Sequence, residues 1–81
     1  MDVTADKVRR LAEARIELDA AERDMLGRGT ELHFHSLDSD ALLDAMAEAV
    51  GSEVEASDSE WCARRFFRAF GVEFFAMAVR R

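Results

Sequence analysis

Apolar and polar positions alternate along this chain with three different periods. From Val3 onward the period is helical. Leu11, Ala14, Leu18, Ala21 and Met25 recur at spacings of three and four, with Val8 on the same side, which predicts an amphipathic helix over residues 4–26. Thr4 is placed to cap it, Val3 and Val8 occupy hydrophobic-staple positions, and Gly27 supplies a stop. Asp6–Arg10 and Asp19–Arg23 are acid-before-base pairs one turn apart. A helix of this length spans about 33 Å and overhangs any small domain it belongs to. Its stripe can pack on the chain's own sheet or, in part, pair with a second copy.

The period then changes to two. Glu31-Leu32-His33-Phe34-His35 predicts a strand over residues 30–35 with Leu32 and Phe34 turned inward. Ser39, or Asp38, can cap a second helix over 39–50, whose apolar face is Leu42, Leu43, Met46, Ala47 and Val50 and whose stop is Gly51. Residues 52–59 are polar, and Val54 and Ala56 allow either a brief strand or a loop.

Two patterns compete for residues 60–70. Ser57-x-x-Glu60 is a capping box for a helix carrying Cys62, Ala63, Phe66, Phe67 and Phe70. A turn at Phe70-Gly71 instead aligns Arg68 with Glu73, Phe67 with Phe74 and Phe66 with Phe75, one opposite-charge and two aromatic pairs of the kind that sheets favour. Phe is poor turn chemistry at that position. Residues 72–79 must be extended in either case and need an antiparallel neighbour, which favours a hairpin of 60–69 and 72–79. One hairpin face then carries Trp61, Ala63, Arg65, Phe67, Ala69, Val72, Phe74, Ala76 and Ala78, suited to packing under helices. The other carries Cys62, Arg64, Phe66, Arg68, Glu73, Phe75, Met77 and Val79. The predicted fold is a single α+β domain, ordered α-β-α-β-β, with both helices on one face of a small antiparallel sheet.

Composition narrows what such a domain does. At 81 residues the buried fraction is modest, and a single cysteine, Cys62, allows no internal disulfide, so partner binding or oligomerisation is the remaining source of buried area. A net charge of −6 argues against nonspecific nucleic-acid binding and against an anionic membrane surface. The sequence contains no long apolar span or signal-peptide core, and a lone thiol fits a reducing cytoplasm. Ten arginines to one lysine and fourteen alanines point to a high-GC genome.

Candidate chemistry is sparse. His33-x-His35 has metal-like spacing and places both imidazoles on one strand face. A centre there needs a third ligand from Glu31, Asp38, Cys62 or Glu73. Cys62 near Arg64 and Arg65 has the charge environment of an activated thiol but needs a base. Gly27-Arg28-Gly29 is not a phosphate loop, and Asp38, Asp40 and Asp44 do not follow a calcium-loop pattern. No cofactor and no catalytic set is expected. The enriched types on the second hairpin face, aromatic, Met and Arg, are those of interface cores. They predict a binding face made of Arg64, Phe66, Arg68, Phe75 and Met77, a protein partner and a homo-oligomer; the alternative is a metal- or ligand-binding protein centred on His33 and His35.

The stretch ELHFHSLDSDALLDAMAEAVG followed by RAFGVEFFAMAV resembles short uncharacterised proteins of high-GC bacteriophages and mobile elements. That resemblance implies a leading helix before a strand–helix–strand–strand unit, and an accessory product that binds a host or phage macromolecule in an anti-defence or regulatory role.

Overall fold

The structure, a computed structural model, describes residues 2–27 and 32–79. Its elements in chain order are α1 (Ala5–Leu26), β1 (His33–Ser36), α2 (Asp40–Val50), β2 (Glu55–Asp58), β3 (Cys62–Ala69) and β4 (Val72–Val79). The class is α+β, as the periodicities predict. The part of the first predicted strand at residues 30 and 31 lies outside the described residues.

Local chemistry sets the helix ends. The hydroxyl of Thr4 accepts from the Lys7 amide at 3.3 Å and that of Ser39 from the Leu42 amide at 3.2 Å, each satisfying a donor that the first turn leaves open. Gly27 and Gly51 close the two helices in the left-handed conformation, at φ 66° and 73°. Along the exposed side of α1, Asp6 pairs with Arg9 rather than Arg10.

The four strands form one sheet in the order β1-β4-β3-β2. The β3–β4 hairpin has the predicted register: Arg68 opposite Glu73, Phe67 opposite Phe74 and Phe66 opposite Phe75. Ser57, the first residue of the competing capping box, lies in β2, opposite Arg64. The sheet is mixed, not wholly antiparallel, because β1 runs parallel to β4, with His33 opposite Val72 and His35 opposite Phe74. The chain between β1 and β4 holds α2, which crosses over the sheet as parallel pairing requires, and β2 on the far edge.

Both helices lie on one face. There Val8 and Ala12 of α1 and Leu43, Met46 and Ala47 of α2 meet Phe67, Val72, Phe74 and Ala76, with Leu37 completing the core. The Phe67 and Phe74 rings stack at 5.2 Å. Arg65, on the same face nearer the edge, reaches Asp44 of α2 at 2.7 Å. The smallest dimension of the molecule is 18 Å, the thickness of one sheet and one helix layer.

Three expectations about facing are corrected. On α1, Val8, Ala12, Arg15, Ile16 and Asp19 turn toward the sheet or are partly covered, whereas Ala14, Leu18, Ala21 and Met25 are exposed. On β1, Leu32 and Phe34 point away from the helices and the two histidines point toward α1. Trp61, expected under the helices, is exposed at the start of β3.

The hairpin turn has a testable cost. Phe70 at φ 52° and Gly71 at φ 80° make a primed turn, which suits the sheet's twist but forces a bulky residue into the left-handed region. The Phe70 ring is 45 % exposed, so only part of it packs to offset that cost. Phe70→Asn is expected to stabilise the protein by about 0.5–1 kcal/mol, read as a higher urea midpoint with an unchanged slope; a lower midpoint would show that the ring contributes more than the turn costs.

Candidate functional site

The pleat of β3 and β4 sends every second side chain to the face without helices. Across it run Phe34, Glu73 and Arg68 in one row, Phe75, Phe66 and Glu55 in the next, then Met77, Arg64 and Ser57. Among the described residues no layer covers this face. All five predicted binding residues, Arg64, Phe66, Arg68, Phe75 and Met77, lie on it together.

Its centre is organised by a carboxylate. Glu73 is 7 % exposed and accepts from the Arg68 Nε at 2.9 Å and from Arg64. Burial disfavours the charged form of Glu73, but these two hydrogen bonds and the positive charge behind them outweigh it, so the carboxyl titrates below its ordinary value. Held by Glu73, the Arg64 guanidinium lies 4.7 Å above the Phe66 ring and 5.0 Å above Phe75, and Arg68 lies 5.7 Å from Phe66. These are cation–π distances. The two central rings are therefore half-covered by the chain's own arginines rather than bare.

The more exposed apolar groups lie at the margin. Phe34 is 44 % and Met77 54 % exposed, and Leu32 is more open still. Leu32, His33, Phe34, Arg68, Gly71, Val72 and Glu73 line a shallow groove of about 380 Å³ where β1 meets the hairpin tip. Leu32 and Phe34 were missed by sequence reasoning, which turned them inward. The signal that could have placed them was Arg15 and Asp19, polar residues on the same side of α1 as Val8, Ala12 and Ile16.

Those two residues also decide what the histidines do. His33 Nδ1 lies 2.7 Å from Asp19 Oδ2, Arg15 Nε donates to His35 Nδ1 at 3.2 Å, and Arg15 and Asp19 lie 3.7 Å apart. The four groups form a chain that joins the middle of α1 to β1. His35 also packs edge-on against Phe74. Burial, and then the charge of Arg15, holds the His35 imidazole below its ordinary value. Both Nδ1 atoms are thus engaged, and among the described residues no group of three His, Cys, Asp or Glu side chains could hold a metal ion. Glu73 is on the opposite face of the sheet, and Glu31 lies outside the described residues.

Cys62 is half-buried, with the Ser59 hydroxyl 3.4 Å from its sulfur. It pairs with Val79, seven residues along β4 from the Val72 that His33 faces, or roughly 23 Å at the rise of a strand. Neither histidine is within reach as a base for that thiol. Among the described residues no helix is long and apolar enough to cross a membrane.

Two of the shifted groups, His35 and Glu73, give a two-step acid response. A folded-state His35 below its ordinary value near 6.5 contributes stability that is present above that value and lost as pH falls through it toward the lowered one. Glu73 does the same below its ordinary value near 4.5. The melting temperature is expected to fall first between neutral pH and mildly acidic pH, and His35→Gln to remove that first step. Glu73→Gln is expected to cost about 1–3 kcal/mol at neutral pH, with the gap to the parent protein closing in strong acid. A gap that stays constant down to strong acid would show that the Glu73 charge is not what holds the two arginines.

In comparisons with known proteins, no protein-family model, no curated protein and no solved structure matches this chain.

Proposed function

We propose that this chain is a small non-catalytic regulatory module that acts in the cytoplasm by binding a protein partner through the open face of its sheet. The observation that supports this reading is the makeup of that face: Phe34, Phe66, Phe75 and Met77 beside Arg64 and Arg68, with no layer over them among the described residues. Interface centres favour these residue types. Arg68 shares one carboxylate with Arg64 and is itself largely exposed. A complementary partner presents apolar side chains toward Phe34 and Met77 and an acidic group toward Arg68. On this reading the partner is a host or phage macromolecule and the role anti-defence or regulatory, as the resemblance to accessory products of high-GC bacteriophages and mobile elements implies.

The test uses a photo-crosslinking amino acid at Met77, with the exposed α2 position Glu48 as the control. In cells that make the protein, Met77 is expected to give a discrete protein adduct and Glu48 none. Phe34→Gln is expected to abolish the adduct while leaving the melt nearly unchanged, because that side chain is exposed and takes no part in holding Glu73. No adduct at Met77, or the same adducts at both positions, would overturn the reading.

A further inference from the structure

Past Ala12, α1 changes its manner of attachment. Arg15, Ile16 and Asp19 are partly covered, and from residue 20 to residue 26 every side chain of the helix is exposed. Ile16 packs at the edge of the core. Arg15 and Asp19 meet the two histidines of β1. The covered contacts of this half of α1 with the sheet are thus one apolar side chain and the chain of Arg15, Asp19, His33 and His35. A helical segment of about a dozen residues is marginal in water without packing, so the contacts that hold this half down also keep it wound.

The contact between Arg15 and His35 exists in one protonation state only. A guanidinium always donates, so the Nδ1 that accepts from Arg15 Nε at 3.2 Å is the unprotonated nitrogen of a neutral ring. A proton arriving at Nδ1 takes the lone pair that Arg15 uses and sets two cations in contact. Asp19, the one carboxylate of the four groups, is already shared between Arg15 at 3.7 Å and His33 at 2.7 Å. The other elements bring apolar groups to the same place. β4 presents Val72, Phe74 and Ala76, and α2 presents Leu43, Met46 and Ala47; the His35 ring packs edge-on against Phe74. Arg65, paired with Asp44 and Asp40 of α2, and Asp58 share that face two and three strands away. Arg23, a further cation on α1, lies one turn beyond Asp19 and is exposed.

We propose that His35 is a proton-operated latch on α1: a proton on its ring expels Arg15, and the second half of the helix then opens away from β1 while Val8 and Ala12 stay on the sheet. The direction follows from the pairing. In the closed form burial and Arg15 hold the imidazole below its ordinary value near 6.5, whereas in the open form the ring faces water. Below about pH 6.5 the open form takes a proton that the closed form refuses. The opening constant therefore rises as pH falls, by up to tenfold per pH unit, and levels off once pH passes the lowered value. His33 restrains the movement, because a proton there leaves its contact with Asp19 in place, as imidazolium on carboxylate. Opening uncovers the helix side of β1, a surface shut at neutral pH. It lies on the opposite face from Phe34 and Met77, so this inference does not depend on the partner-binding reading.

Native-state hydrogen exchange on the full chain tests the latch, with rates corrected for the intrinsic effect of pH. The amides of residues 19–24 are expected to exchange through an opening with a much smaller urea dependence than that of Phe67 and Phe74, since it is local. Between pH 7.5 and 5.5 that opening is expected to become about three- to tenfold more populated. His35→Gln offers Arg15 an acceptor but no proton site, and is expected to keep the opening and remove its pH dependence. Asp19→Asn is expected to raise the open population at both pH values. In the parent protein the Arg15 Nε–H resonance is expected to lose protection in step with the titration of His35. One shared urea dependence for all these amides, a local opening that ignores pH, a pH dependence that survives His35→Gln, or an Arg15 Nε–H that stays protected after His35 has taken its proton would each overturn the proposal.

Discussion

A sheet has two faces, and among the described residues the helices cover only one of them. Everything else in the structure follows from that shortage. The core is confined to the thin layer where Val8, Ala12, Leu43, Met46 and Ala47 meet Phe67, Phe74 and Val72, and the other face must meet water or a partner with whatever β3 and β4 place there. The chain's internal answer is ionic. Glu73 is sunk among the strands and holds two arginines, one of which lies over a pair of phenylalanines. Guanidinium is weakly hydrated and stacks on aromatic rings, so it shields them at less cost than an ammonium would. The face is thereby half-protected: wettable in the lone protein, and still apolar at Phe34 and Met77.

The hairpin was legible because its evidence is local. Arg68 with Glu73 and the two Phe–Phe pairs all fall in register about one turn, and each is a favourable cross-strand neighbour. Helix caps were legible for the same reason, since a cap depends on residues three apart. The orientation of β1 was not. Alternation fixes which residues share a face but not which face is inward, and hydrophobicity gave the wrong answer for a short edge strand. His33 and His35 turn inward because Arg15 and Asp19, fourteen to twenty residues earlier, meet them there. That match becomes visible only when α1 lies over β1.

The same limit explains α1. Its apolar residues make two stripes rather than one, and sequence alone does not say which of them the sheet takes. The sheet takes the side with Val8, Ala12 and Ile16, where Arg15 and Asp19 find the histidines. The stripe of Leu11, Leu18 and Met25 is left with α2 beside its first half only. The parallel pairing of β1 with β4 was likewise out of reach, because it joins segments separated by nearly half the chain and leaves no local mark.

That pairing has a consequence for how the molecule is made. β4 is flanked by β1 and β3, so the last described strand in chain order sits inside the sheet. Until β4 is in place, β1 has no neighbour and the two helices have only an incomplete surface on which to dock. Before β4 docks, the residues of the future core are exposed, and exposed apolar surface of that kind is what chaperones and proteases recognise. A lesion in β4 therefore opens both halves of the sheet at once.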